Sequence, residues 1–298
     1  LVIERAALGG QAATTQWLDN VSGFSEGISG ADFSHQLRLQ AERFGVEFLQ
    51  AQDVIEVRKE DTYQHVATED GSNYTAKAVL IATGSRYKRL NIPGEEQYIG
   101  AGIHFCATCD GPFYKNLPVA VIGGGNSATE ESIFLTKFVK KVTLLVRSAK
   151  LTASKILQEK VLFHPQIDVR FNTEAVEFHG AESKLNTVII KDRQTEKLKE
   201  IHPSGVFTFI GQTPNTGFLA NSGVETNQWG FIVSGHDLVH DEPRPKGYET
   251  RDPAFLETSI PGIFSAGDVR AGSTKQVASA AGEGATAALL IREYLKTV

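Results

Sequence analysis

Apolar residues along this chain fall into two kinds of block. Short, nearly unbroken apolar runs are bounded by glycine or polar turns, as in PVAVI at 118–122 and VFTFI at 206–210. Such runs predict strands buried on both faces of a sheet. Longer stretches mix apolar and charged positions at helical spacing, as at 31–44, and predict helices. LVIE at 1–4 predicts a strand ending in an acid, followed by a Gly/Ala loop and a polar turn in DNVSGFSEGISG. AVLIATG at 78–84 predicts a buried strand that runs into a turn. Residues 118–147 predict strand, glycine turn, helix and strand, one complete βαβ unit. LNTVIIKD and SGVFTFIG add strands. After IGQTPNT the pattern predicts hairpins. The segment GIFSAGDVRAGSTKQVASAAGEGATAALLIREYL then predicts a strand, a turn at Gly267 and Asp268, and a long helix. The polar stretch 236–252 holds two prolines and predicts a solvated loop or hairpin insert. Strands alternating with helices place the chain in the α/β class. No repeat of solenoid length is present.

Composition narrows the class. A chain of 298 residues accommodates two domains, each with its own core. The net charge of -5 is mild, and no block of lysine or arginine points to a nucleic acid or a membrane surface. No apolar run approaches the ~18 residues of a membrane span. Two cysteines are too few for a disulfide-stapled secreted scaffold, so a cytoplasmic enzyme is expected. The sequence starts at Leu1 and contains no Met anywhere.

Two elements carry candidate chemistry, and they are neighbours. Gly123, Gly125 and Ala128 fit G-x-G-x-x-A between an apolar strand and a helix. The first glycine permits the tight turn and the second lets a pyrophosphate approach the backbone. The small Ala128 allows close helix–strand packing, and the phosphates would meet the free N–H groups of the helix start. At the end of the second strand stands Arg147, with Lys150 and Lys155 beyond. A cation there suits the 2′-phosphate of NADP, where an acid would suit NAD; a plain solvated strand end is the bland reading. Just upstream, Cys106 and Cys109 form C-A-T-C, followed by Asp110. This spacing allows a small reducible disulfide. A zinc site using His104 and Asp110, or two inert cysteines, would use the same residues otherwise. Asp110 could move protons as thiols form, or cap the next turn.

CATCDGPFYKNLPVAVIGGGNSATEE, LIATGS, IGQTPNT and SIPGIFSAGDVRAGSTKQVASAAGEG together resemble the bacterial low-molecular-weight thioredoxin reductases, in that family's order over essentially the whole chain. The resemblance implies two Rossmann-like, three-layer dinucleotide-binding domains, the NAD(P)H domain inserted into a discontinuous FAD domain. The FAD domain would comprise 1–86 and 213–298, and the NADP domain with the dithiol 87–212. Glu4 would hold the adenosine ribose, and Gly9, Gly10 and Gln11 would line the flavin loop. Asn20 would lie near the isoalloxazine, with Thr83 and Gly84 close to the cofactor. Gly267 and Asp268 would contact the ribityl and pyrophosphate region, while Lys275, Gln276 and Val277 would cover the flavin end. Gly123, Gly125, Asn126, Ser127, Ala128 and Arg147 would bind NADPH. Cys109 would face the flavin, Cys106 would attack the partner disulfide, and Asp110 would be the acid–base residue.

Two departures from the family pattern stand out. The family's phosphate motif, His-Arg-Arg followed three residues later by Arg, matches Val146, Arg147, Ser148 and Thr152, so one arginine of three is retained. The family also opens with a strand and a G-x-G-x-x-G loop for FAD, whereas this sequence starts at what would be the second strand. An incomplete sequence is therefore expected, and the residues as written are expected to bind FAD poorly.

The resemblance implies electron flow from NADPH through FAD and the dithiol to a thioredoxin-type protein disulfide, in a homodimer, with rotation of the inner domain alternating the two reactants at one flavin. A glutaredoxin- or peroxiredoxin-like partner, or a non-catalytic nucleotide-binding remnant, would be the alternatives. A ferredoxin-NADP reductase would not need the cysteine pair.

Overall fold

A computed structural model of the chain describes all residues except Gln16, Glu182, Ser183, Asp241 and Glu242. The chain divides into two compact units, Leu1–Arg86 with Thr213–Val298, and Tyr87–Gln212.

The Tyr87–Gln212 unit is built on a five-stranded parallel sheet. Its order runs Ile167–Arg170, Lys141–Leu145, Pro118–Ile122, Gly205–Thr208, Ile103–His104. The strand Pro118–Ile122 pairs with Lys141–Leu145 on one side, Val121 opposite Leu144, and with Gly205–Thr208 on the other, Val121 opposite Phe207. Its unbroken apolar run has a direct cause: both faces are covered. Val119 and Val121 face a core shared with Ala128 and Leu135 of the helix Asn126–Leu135. Ala120 and Ile122 face a second core with Phe178, Val188 and Ile190. Those come from the antiparallel sheet Thr173–Ala181, Lys184–Asp192, Leu198–Ile201. Side chains alternate along a strand, so the four residues after Pro118 feed two cores and the unit has three layers.

The other unit pairs Val2–Glu4 with Phe48–Gln50 and Ile263–Ser265 with Val79–Ile81, both parallel. An antiparallel sheet of Val54–Glu60, Tyr63–Thr68 and Asn73–Ala76 accompanies them. Val57, Val66, Ile81, Ile232, Ile263 and Val269 form its main core. The helix Gly30–Arg43 starts where Ser29 Oγ accepts the Asp32 N–H at 3.0 Å, an N-cap that satisfies one orphan donor. The long helix Val277–Tyr294 closes this unit.

Two expectations are refined by the structure. The described residues of 236–252 are mostly exposed, as a solvated loop would be, but the stretch is anchored at a few buried points. It begins with a 3-10 turn, Gly235–Val239, whose Leu238 is buried. Tyr248 is wholly buried, its hydroxyl donating to Thr258 O at 2.7 Å. Arg251 forks onto the buried Glu257 with two bonds of 2.8 Å. Buried aromatic surface and a paired acid anchor this stretch, which its polar composition conceals. The strand expected within 78–84 is Val79–Ile81 and runs into a turn at Gly84, as expected, but it is only partly buried, with Leu80 exposed. Among the described residues no helix is long and apolar enough to cross a membrane.

Candidate active site

Cys106 and Cys109 are joined as a disulfide, Cα–Cα 5.3 Å. Cys106 is the N-cap of a one-turn helix, Ala107–Asp110, and its sulfur accepts the Cys109 N–H at 3.1 Å. Ala107 is buried and pins this turn to the sheet, while both cysteines remain half-buried and within reach of a reactant. The turn also sets the next residue. Asp110 Oδ2 lies 3.4 Å from His104 Nδ1, and His104 Nε2 lies 2.6 Å from the Tyr114 hydroxyl. Phe207 packs against both the His104 and Tyr114 rings. Burial, and then the charge of Asp110, push the Tyr114 hydroxyl up to about 12. Before the dithiol, Phe105 stacks on Tyr87 at 4.9 Å, with the Arg89 guanidinium 4.5 Å from its ring centre.

The glycine loop lies in the same unit. Gly123 has φ +149°, and a Cβ there would meet Phe209 O at 2.4 Å and Ala128 Cβ at 2.7 Å. Only glycine fits, and Ala128 is small for the same reason. Gly125 is the N-cap of the helix Asn126–Leu135 and offers no side-chain cap, so the first-turn N–H groups stay open. Asn126 and Ser127 are exposed beside them. The segment after Arg147 straps the loop: Thr152 N–H donates to Gly124 O at 2.8 Å, and Ser154 N–H to Asn126 Oδ1 at 2.8 Å. Thr152, a position of the family's arginine motif, thus braces the loop, and Val146 is buried.

Arg147 and Lys150 are exposed. A residue the sequence reading missed joins them. Arg193 Nη1 donates to Arg147 O at 3.0 Å, and Arg193 Nε pairs with Glu174 Oε2 at 3.3 Å. Glu131, within the same helix, was also missed. Burial, and then Glu130, push its carboxyl up, and its Oε2 has no partner among the described residues. Open N–H donors, a loop that only glycine can build and clustered cations match the demands of a dinucleotide with a 2′-phosphate.

In the other unit the structure gathers the remaining predicted residues less evenly. Glu4 ends the strand Val2–Glu4 and accepts the Ala6 N–H at 3.0 Å. Gly9 and Gly10 both have left-handed φ, and a Cβ on Gly9 would meet Ser34 Cβ at 2.6 Å. Gln11 donates to Ser85 O. Thr83 and Asn215 clasp each other, Oγ1 to backbone O at 2.7 Å and Nδ2 to backbone O at 2.7 Å, with Gly84 O accepting the Asn215 N–H at 3.0 Å. Asn215 is a further residue that sequence reading did not single out. Asn20 Nδ2 donates to Gln276 Oε1 at 2.8 Å, and Gln276 precedes Val277 at an N-terminus with no side-chain cap.

Around Gly267 and Asp268 several of the predicted residues bond to one another or to their neighbours. The Gly267 N–H is taken by Glu283 Oε2 at 2.7 Å, and Glu283 pairs with Arg270 at 2.5 Å, both side chains largely buried. Lys275 does not reach outward. Its Nζ donates to Asp268 O at 2.7 Å and Arg270 O at 3.1 Å and lies 4.2 Å from the Phe231 ring centre. It clasps the turn, and burial pushes its amine down. The Asp268 carboxylate itself makes no hydrogen bond to a described residue. Burial pushes it up, against the pull of Lys275 and with a further push from Glu283. A half-buried acceptor lacking a donor fits a polyhydroxylated ligand such as the ribityl chain of FAD. Together with the tight glycines and the open helix start, the residues present suit that cofactor.

Residues 1–284 match the pyridine nucleotide-disulphide oxidoreductase family. A thioredoxin reductase of Treponema pallidum is 39% identical over 298 residues, covering 100% of this chain and 90% of the relative. One from Bacillus subtilis is 36% identical over 99% of this chain and 87% of the relative. A crystal structure of thioredoxin reductase from Streptococcus pyogenes superposes with a TM-score of 0.86 at 35% identity, covering 99% of this chain and 90% of that one.

Proposed function

The chain belongs to the pyridine nucleotide-disulphide oxidoreductase family, and we propose that within it the protein is an NADPH-dependent reductase of thioredoxin-type disulfides, with FAD as its second cofactor. The observation that carries this reading is the Cys106–Cys109 disulfide, set at the start of a one-turn helix in the same unit as an open dinucleotide loop. The relatives named thioredoxin reductase over nearly the whole chain support it.

The Gly123–Gly125 turn and the first N–H groups of the helix after it would hold the NADPH pyrophosphate. Arg147, with Arg193 and Lys150 beside it, would meet the 2′-phosphate. Glu4, Gly9, Gly10, Gln11, Asn20, Thr83, Gly84, Asp268, Gln276 and Val277 would hold FAD, with Gly267 and Lys275 shaping the turn that presents Asp268. Bound FAD would supply the two-electron link between the nicotinamide and the dithiol.

The chain's own chemistry is thiol exchange. Once the Cys106–Cys109 bond is reduced, the Cys106 thiolate attacks the protein disulfide: one Cys106–partner bond forms and the partner's S–S bond breaks. The Cys109 N–H aimed at Cys106 Sγ offers a donor to that anion. Cys109 then attacks the mixed disulfide, releasing the reduced partner and restoring the internal bond. Asp110 would exchange the protons that these thiols gain and lose. A cytoplasmic homodimer is part of the same reading.

Cys106→Ser tests the assignment. The variant should still be bleached by NADPH when loaded with FAD, and should lose reduction of thioredoxin. Thioredoxin reduction at the parent rate would refute the role of Cys106.

A further inference from the structure

We propose that His104 is a positioning residue for Asp110, orienting the carboxyl that ends the dithiol's helical turn through a three-member chain that runs from Asp110 through His104 to Tyr114. This inference rests on the acid–base reading of Asp110.

The three residues come from different elements. His104 ends the edge strand Ile103–His104, Asp110 ends the one-turn helix after Cys106, and Tyr114 lies in the 3-10 turn Gly111–Tyr114. Each is placed by packing rather than by chain proximity alone. Phe207, from the strand next to Ile103–His104, lies 5.4 Å from the His104 ring and 5.6 Å from the Tyr114 ring. The His104 side chain is 10% exposed and that of Asp110 28%, so one member is nearly dry and the other keeps an edge to water. The titratable groups facing His104 are Asp110 and Tyr114; the sheet contributes Phe207.

Each imidazole nitrogen faces a partner: Nδ1 lies within ion-pair distance of Asp110 Oδ2 at 3.4 Å, and Nε2 shares a hydrogen bond of 2.6 Å with the Tyr114 hydroxyl. That arrangement serves either state of the acid. With Asp110 ionised, Nδ1–H faces the carboxylate and the Tyr114 hydroxyl donates to Nε2. With Asp110 protonated, its O–H can face Nδ1 while Nε2–H donates to the Tyr114 oxygen. Neutral imidazole offers one donor and one acceptor, so a tautomer change follows the proton without leaving a nitrogen unpaired. A third group fixing the tautomer of a histidine beside the reacting centre is a recurring device in proton-transfer sites.

The balance of the step is simple. The electron pair supplied by the proposed activity breaks the Cys106–Cys109 bond, leaving one sulfur a thiolate while the other takes a proton to become a thiol. Asp110 supplies that proton, becomes a carboxylate facing Nδ1–H, and regains a proton from water at its exposed edge. In the reverse direction, when the thiol is oxidised, the carboxylate accepts the proton.

The test is a double-mutant cycle on the FAD-loaded enzyme, using His104→Phe, Asp110→Asn and the pair, with kcat and KM for thioredoxin measured across pH. Phenylalanine retains the ring that packs on Phe207. The expected result is a 10- to 100-fold loss of kcat for His104→Phe, in the range found for groups that orient a reacting residue, with KM for thioredoxin unchanged. In the Asp110→Asn background the same substitution should cost nothing, and its effect on the pH profile should vanish. Tyr114→Phe should give a smaller loss that also vanishes in that background, and it decides the matter if His104→Phe does not fold. Equal losses with and without Asp110 would show a merely structural histidine, and no loss would show an idle one; either overturns the inference. A full-rate Asp110→Asn enzyme would instead remove the acid–base reading beneath it.

Discussion

Glu283 is predicted to hold the Gly267–Asp268 turn, and its removal offers a direct measure of what that turn costs to build. Its side chain is 12% exposed and Arg270's is 10%. One oxygen accepts the Gly267 N–H at 2.7 Å and the Arg270 Nε at 3.3 Å, the other the Arg270 Nη2 at 2.5 Å. Glu283→Gln keeps the shape and an acceptor but removes the charge, leaving the Arg270 guanidinium largely buried without its counter-ion. Breaking one side of a buried pair costs about 3–5 kcal/mol, and the low end, about 3 kcal/mol, applies because a rim of the carboxylate stays wet. Burial pushes the Glu283 carboxyl up, but the Arg270 bonds and the Gly267 N–H outweigh it and hold the group below the usual carboxylate range. A carboxyl depressed in the folded state contributes stability that is present above its unfolded value, near ~4.3, and is lost as pH falls through the folded value. Urea unfolding followed by circular dichroism at pH 7, and again on lowering the pH below about 4, reads both quantities. The variant should be about 3 kcal/mol less stable at pH 7, and the gap should narrow on acidification. Its FAD content should fall in step, because Asp268 loses its support. A difference under roughly 1 kcal/mol at neutral pH, or one that does not shrink with acid, would refute the reasoning.

Two further pairs of measurements separate structure from ligand binding in the Tyr87–Gln212 unit. Gly123→Ala places a methyl 2.4 Å from Phe209 O on a backbone with φ +149°, and should destabilise the protein by about 2 kcal/mol or more in denaturant titrations. Gly125→Ala meets nothing closer than Thr152 Oγ1 at 3.8 Å, so it should leave stability within about 0.5 kcal/mol while weakening NADPH binding; a destabilised Gly125→Ala protein would contradict the placement of that loop. Arg193→Ala should weaken binding of NADPH about fivefold, as suits a half-exposed cation near a phosphate, and leave NADH binding unchanged. Equal losses for both nucleotides in calorimetric titrations would show that Arg193 acts on the fold alone.

Local features were legible in the sequence where one short segment determines them. The glycine loop is such a case. Strand, turn and helix lie consecutively, and the clash distances at Gly123 show why the spacing admits no other residue. The dithiol is another, because Cys106 and Cys109 share one helical turn. What the sequence hid was assembled across long separations. Arg193 meets Arg147 only because Lys184–Asp192 pairs with Thr173–Ala181, which brings the end of that hairpin beside the strand end of Lys141–Leu145. Asn215 clasps Thr83 from 132 residues away. The family resemblance placed Lys275 at the flavin end, whereas the fold engages its amine with two carbonyls and an aromatic ring. The same logic applies to Tyr248, which is wholly buried within the otherwise largely exposed stretch 236–252. In each case composition reported the average environment of a residue type, whereas the fold supplied a particular partner. The chemistry of a site is therefore readable from a motif, but its tuning is not. Within one unit of this protein, the motif contributes two sulfurs and an acid, while the edge strand and the turn that follows contribute the histidine that faces that acid and the tyrosine bonded to the histidine.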